Sequence, residues 1–125
     1  MTTFTSPHED DPIIFEMVLE NDYGPPLVRL KGEMDLRAAP DLREVLLKAL
    51  TEGPGSVVLD LSDLSFIDST IISVLIMARK RASALHGEVR LRNVPNRIHR
   101  VLAITGIDSL FPTDDTPEAT GEATS

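Results

Sequence analysis

An α/β sandwich built on a mixed sheet is the fold class that this 125-residue sequence predicts. Three observations carry that expectation. Strand-like and helix-like runs follow one another in the order β-β-α-β-α-β-α. The first two strand runs are joined by a connection so short that they should pair antiparallel, whereas helical runs separate the later ones. Hydrophobic residues make up 42% of the chain and aromatic residues only 4%, which calls for a single core of Leu, Ile and Val. The expected sheet has four strands, or five if Leu110-Phe111 adds a short one, packed with three to four helices.

The first strand is Ile13-Ile14-Phe15-Glu16-Met17-Val18-Leu19, followed by the turn formers Asn21-Asp22-Tyr23-Gly24-Pro25-Pro26. Leu27-Val28-Arg29-Leu30-Lys31-Gly32 then alternates as a second strand should. A helix follows with Pro40 in its first turn, and Leu42, Val45, Leu46, Ala49 and Leu50 fall on one helical stripe. Glu52-Gly53-Pro54-Gly55 ends it. The third strand, Val57-Val58-Leu59-Asp60-Leu61, is apolar on both alternate sets, as expected of a central strand covered on both faces. The second helix runs from about Ser69 to Leu85, with Ile71, Val74 or Leu75, Ala78, Ala82 and Leu85 facing the core and Ile72 and Ile76 widening the apolar surface. His86-Gly87 closes it, and Glu88-Val89-Arg90-Leu91-Arg92 is the fourth strand. The last helix starts near Pro95 and stops at Gly106, with Ile98, Val101, Leu102 and Thr105 inward and Ile107 over its end in a Schellman closure.

The net charge of −8 is concentrated at the two ends. Glu9, Asp10, Asp11, Asp114, Asp115, Glu118 and Glu122 lie there, leaving residues 13–112 nearly neutral. Residues 1–12 and 113–125 therefore read as acidic, disordered tails around one domain at 13–112. With no cysteine, disulfide frameworks and thiolate chemistry are excluded. No apolar run approaches the roughly 18 residues needed to cross a bilayer, and the start is not that of a secretory signal, so a cytoplasmic protein is expected.

The chemistry-bearing stretch is Leu64-Ser65-Phe66-Ile67-Asp68-Ser69-Thr70. It sets a hydroxyl beside a carboxylate where a loop should become a helix, and unpaired N–H groups and the helix dipole favour an anion such as phosphate at that point. Ser69 reads either as an N-cap or as a phosphoryl acceptor, Asp68 as a cap or a local charge, and Asp35 as a turn residue or part of the same surface.

Three segments in register resemble the STAS-domain anti-sigma factor antagonists. They are Leu30-Lys31-Gly32-Glu33-Met34-Asp35, the stretch Val58-Leu59-Asp60-Leu61-Ser62-Asp63-Leu64-Ser65-Phe66-Ile67-Asp68-Ser69-Thr70, and Asn93-Val94-Pro95 with the helix ending at Gly106-Ile107. The resemblance implies a STAS-like sandwich and a bacterial, non-enzymatic regulator of transcription without a cofactor. It implies that Ser69 is phosphorylated by a partner serine kinase that doubles as an anti-sigma factor. The unphosphorylated form would bind that partner, and a phosphatase would restore it. By the same match Asp35, Asp68, Ser69, Thr70, Ile71 and Ile72 belong to the partner-binding surface. The family pattern has a small residue, most often Gly, where this chain has Ile71, a side chain that would block a partner or anchor a differently shaped one. A monomer or weak dimer is expected, acting without direct contact with nucleic acid or membrane. The alternative within the family is a STAS scaffold module, never phosphorylated, in a larger signalling or transport complex.

Other chemistries fit worse. A hydrolase built on Ser69 or Ser65 lacks a Gly-x-Ser-x-Gly elbow, and His8, His86 and His99 sit in unrelated segments, which also gives no metal-ligand spacing. Gly53-Pro54-Gly55 lacks the Lys and Ser/Thr of a phosphate-binding loop. The bases Arg79, Lys80, Arg81, Arg90, Arg92, Arg97 and Arg100 read as solvated faces rather than a nucleic-acid patch.

Overall fold

Alternating β-branched and aliphatic residues give the chain its strands. The computed structural model, which describes residues 2–5, 15–20 and 25–114, joins six of them in one sheet. They are β1 (Thr2–Thr5), β2 (Phe15–Glu20), β3 (Leu27–Met34), β4 (Val57–Ile67), β5 (Val89–Arg92) and β6 (Thr113–Asp114), ordered across the sheet as in the chain. The first three pair antiparallel and the remaining steps are parallel. Each parallel step crosses through a helix: α1 (Ala39–Glu52), α2 (Ser69–Ala84) or α3 (Asn96–Ile104), the last followed by a 3-10 turn at Asp108–Leu110.

The mixed α/β sheet is as expected, but the strand count is not. Six strands stand among the described residues where four to five were expected. Thr2–Thr5 lies in a stretch read as tail, yet Thr and Phe suit a strand, and β2 offers it a row of partners from Leu19 to Glu16. The short strand expected at Leu110-Phe111 is displaced to β6, because Leu110 N–H closes the 3-10 turn on Ile107 O and Phe111 turns into the core. The rest of the expected tails, residues 1, 6–12 and 115–125, lies outside the described residues, as do residues 13–14 and the turn at 21–24.

One face of the sheet carries the core. Val28, Leu30, Val57, Leu59, Leu61, Val89 and Leu91 are buried with the stripes of all three helices, including Leu42, Leu46 and Leu50 of α1 and Ile98 and Leu102 of α3. The opposite face is only half covered, contrary to the expectation for β4: Val58 and Asp60 are half-buried, and Asp60 stands in register between Arg29 and Arg92. Charges in that row are in keeping with the described helices all burying their stripes in the core on the other face.

Beyond Leu61 the burial rhythm of β4 changes from every second to every third residue, through Leu64 and Ile67. The cause is two register shifts against β3, where Arg29–Lys31 spans Asp60–Asp63 and Gly32–Glu33 spans Leu64–Phe66. Each is a bulge with one extra residue on β4, and each turns the next side chain over. Gly32, with φ of 84°, sits at the second shift, in a conformation that only glycine adopts without strain. The strand therefore runs to Ile67, and Asp68 alone separates it from α2, so the expected loop is mostly strand.

The helix ends follow local signals. At α3, Ile107 N–H donates to Leu102 O and Gly106 N–H to Ala103 O, the Schellman pair, with Gly106 at φ 77°. Thr105, expected inside, is exposed and returns its hydroxyl to the Val101 and Leu102 carbonyls. At α2 the same closure uses Gly87 N–H to Ala82 O and His86 N–H to Ser83 O. The helix stops one residue short of Leu85, which is left exposed rather than in the core stripe. His86 takes the left-handed position, φ 64°, without being glycine. His86→Gly should therefore stabilise the domain by up to about 1 kcal/mol, read as a higher urea midpoint; an unchanged or lower midpoint would contradict strain at this residue.

Candidate functional site

The site is assembled where β4 ends. Asp68 is extended (φ −114°, ψ −178°) and caps α2, its Oδ1 accepting the Ile71 N–H at 3.1 Å. Its Oδ2 accepts the Leu36 N–H at 3.0 Å, from the turn between β3 and α1. One carboxylate thus fixes both the start of α2 and a segment 32 residues earlier in the chain. Ser69, the first residue of α2, and Thr70 are exposed, and by helix geometry their N–H groups have no carbonyl four residues back inside the helix. The Ser73 hydroxyl donates to the Ser69 carbonyl at 3.1 Å. The Asp68 carboxylate itself takes the anion-binding position at the helix start, so a phosphate on Ser69 would meet a like charge beside it.

The turn that Asp68 holds is braced a second time. Asp35 accepts the Arg37 N–H at 2.9 Å and forms a fork with the Arg37 guanidinium, with contacts of 3.0–3.3 Å. The Ala38 N–H closes the turn on Asp35 O at 2.9 Å. The guanidinium hydrogen bond, against a smaller opposing effect of burial, holds the Asp35 carboxyl below its ordinary 3.8. The strand side is tied too: Ser65 Oγ donates to Gly32 O at 3.0 Å, and Arg97 of α3 donates to Ser65 O at 3.3 Å.

Asp35, Asp68, Ser69 and Thr70 are therefore gathered at one end of the sheet by β3, β4 and α2. Ile71 and Ile72 are not part of that surface. Ile71 is 0% exposed and Ile72 8%, both within the core, so neither side chain can block or anchor a partner. The reason is the face that α2 turns inward on α1 and the sheet; Ile71 contributes only its N–H, to Asp68. Two residues that the sequence reading passed over are prominent instead. Leu36 is 65% exposed and donates its N–H to Asp68, and Phe66, 47% exposed, stands two residues before Asp68 in the chain. The signal for Phe66 was the three-residue spacing of Leu61, Leu64 and Ile67, which leaves it outside; Leu36 had none. A cleft of about 430 Å³ beside β4 is lined by Ser62, Asp63, Leu64, Ser65, Pro95, Asn96 and Arg97, and none of the residues singled out for phosphorylation or partner binding lines it. No helix among the described residues is long and apolar enough to cross a membrane.

Comparison with known proteins gives one family. The model of the STAS domain matches residues 16–120. An anti-sigma-B factor antagonist of Staphylococcus epidermidis is 30% identical over 91 residues, 73% of this chain and 84% of that protein. The solved structure of the anti-sigma factor antagonist SpoIIAA in its unphosphorylated form superposes with a TM-score of 0.70 at 23% identity, over 82% of this chain and 89% of that one. The phosphorylated form of the Bacillus cell fate determinant SpoIIAA gives 0.65 at 23% identity, over 82% and 92%. At that identity the two structures speak for the fold.

Two expectations follow from the geometry. Ile71→Gly should lose on the order of 4 kcal/mol of stability in chemical denaturation, because it empties a core position inside a helix; a loss below about 1 kcal/mol would contradict its burial. The Asp35–Arg37 contribution is complete above the unfolded carboxyl value of 3.8 and is lost as pH falls through the lower folded value. Below about pH 4 the urea midpoint of Asp35→Asn should therefore fall less steeply than that of the wild type, and parallel profiles would show the fork to be without effect.

Proposed function

The chain belongs to the STAS domain family and groups with its anti-sigma factor antagonists, and from that premise we propose that it is a binding switch gated at Ser69. In its unphosphorylated form it binds an anti-sigma factor that is also a serine kinase, freeing the sigma factor. Transfer of a phosphoryl group from ATP, the kinase's own substrate, to Ser69 Oγ ends the complex, and a phosphatase restores the hydroxyl. The protein acts by association in the cytoplasm, not by catalysis of its own. Asp35, Asp68, Ser69 and Thr70 form its contact surface.

The observation that carries this reading is the exposed Ser69 hydroxyl at the first position of α2, directly beside the Asp68 cap. Phosphorylation adds about −1.5 to −2 charges there. Inside the free domain the modification has little to disturb, because Ser69 faces solvent. In a complex the dianion and the Asp68 carboxylate must be desolvated together against a surface shaped for a hydroxyl. Such a mismatch weakens binding by about 2–5 kcal/mol, and its lower end is already about thirtyfold.

The test is a titration of purified serine-kinase anti-sigma factors from the source organism, with and without ATP. The wild type and Ser69→Ala should bind one of them, Ser69→Asp should bind at least about thirtyfold more weakly, and mass spectrometry should find phosphate on Ser69 of the wild type. Equal binding by the alanine and aspartate variants, or phosphate elsewhere, would defeat the switch.

A further inference from the structure

Leu36 and Phe66 are large apolar side chains that the fold exposes by construction. Leu36 sits in a turn whose backbone is tied at three points: its own N–H to Asp68, the Arg37 N–H to the Asp35 carboxylate, and the Ala38 N–H to Asp35 O. The turn is held, and yet the Leu36 side chain is 65% in water. Phe66 is put outside by the second bulge of β4. In a regular strand it would follow the buried Leu64 at the next inward position, but the extra residue turns Ile67 inward and Phe66 out.

Both lie next to the modification site. Leu36 is one hydrogen bond from Asp68, and Phe66 precedes Ser69 by three residues on the strand that delivers it. A specific protein interface covers about 800 Å² on each partner, so a protein whose active centre reaches Ser69 Oγ also covers its immediate neighbours. Apolar side chains on a backbone already held in place require no ordering of the chain when they are buried there, which suits them to anchor a complex.

Resting on the switch proposed above, we infer that Leu36 and Phe66 are the apolar anchors for the kinase that modifies Ser69, and that Leu36 sets which kinase is accepted. The occupant is one protein, the anti-sigma kinase, carrying an apolar pocket beside its phosphoryl-transfer centre. Leu36 is the specificity position because its side chain stands on a turn whose shape is set by backbone and Asp35–Arg37 contacts, so it can be exchanged without altering the fold. Phe66 lies on the strand itself and supplies the common footing.

The experiment uses the full chain and each purified serine-kinase anti-sigma factor of the source organism, followed by calorimetric titration and by phosphate incorporation at Ser69. Leu36→Ala and Phe66→Ala should each weaken the wild-type complex by about tenfold or more and slow Ser69 phosphorylation at limiting kinase, with thermal unfolding unchanged. Ile104→Ala, which removes a side chain that is 78% exposed on α3, should bind like the wild type. Wild-type binding that both anchor variants keep undiminished would overturn the inference and leave the switch standing. Equal weakening by Ile104→Ala would also overturn it, since exposure alone would then explain the effect. Failure of the wild type to bind any of the kinases would remove the switch and the anchors together.

Discussion

The Asp68 carboxylate makes two hydrogen bonds, and the geometry of the site depends on them. One oxygen closes the first turn of α2, which would otherwise leave its Ile71 N–H without a partner; the other holds Leu36 N–H. A neutral cap could satisfy the helix alone, as serine does in many proteins. Only a side chain with two acceptor oxygens in one plane reaches both segments at once. The charge also bears on function, because it stands beside the hydroxyl proposed to carry the phosphate. The same group that shapes the surface then opposes the burial of a second negative group on it.

Support for that carboxylate comes from the strand before it. β4 is the central parallel strand, paired along its length with β3 and from Val57 to Asp60 with β5. Its two bulges keep Leu61, Leu64 and Ile67 in the core while the neighbouring positions face out. Without them, Asp63 and Ser65 would face the core and Leu64 would face out; the two reversals cancel by Ile67, which is inward either way. Gly32 makes the second bulge possible and receives the Ser65 hydroxyl there, so the partner strand follows the irregularity.

Much of this was legible in the residues, and the exceptions have physical reasons. The α1 stripe from Leu42 to Leu50 and the closure at Gly106-Ile107 depend on neighbours three to five positions away, and both stand as expected. Asp68 and Ser69 were recognisable from their place at a helix start. The length of β4 was not, because a bulge breaks the two-residue alternation by which strands are recognised. Ile71 carried two readings: its helical spacing put it on the core stripe of α2, where it stands, and the family resemblance put it on the partner surface, where its burial excludes it. Leu36 gave no signal, since what makes it notable is a bond to a residue 32 positions away. The strand Thr2–Thr5 exists by virtue of an open edge on β2, a tertiary opportunity that composition does not record.

Alongside its local caps and turns, the site is held by ties that span long stretches of chain. Ser65 reaches back 33 residues to Gly32, and Arg97 reaches back 32 to Ser65. Neither tie can form before the parallel crossovers that carry it have closed, and such non-local pairing comes late and slowly in folding. The short peptide around Ser69 therefore does not contain its own recognition surface. A kinase of the kind proposed, if it required this composite epitope, would pass over nascent, truncated or denatured copies and act on molecules whose assembly is complete.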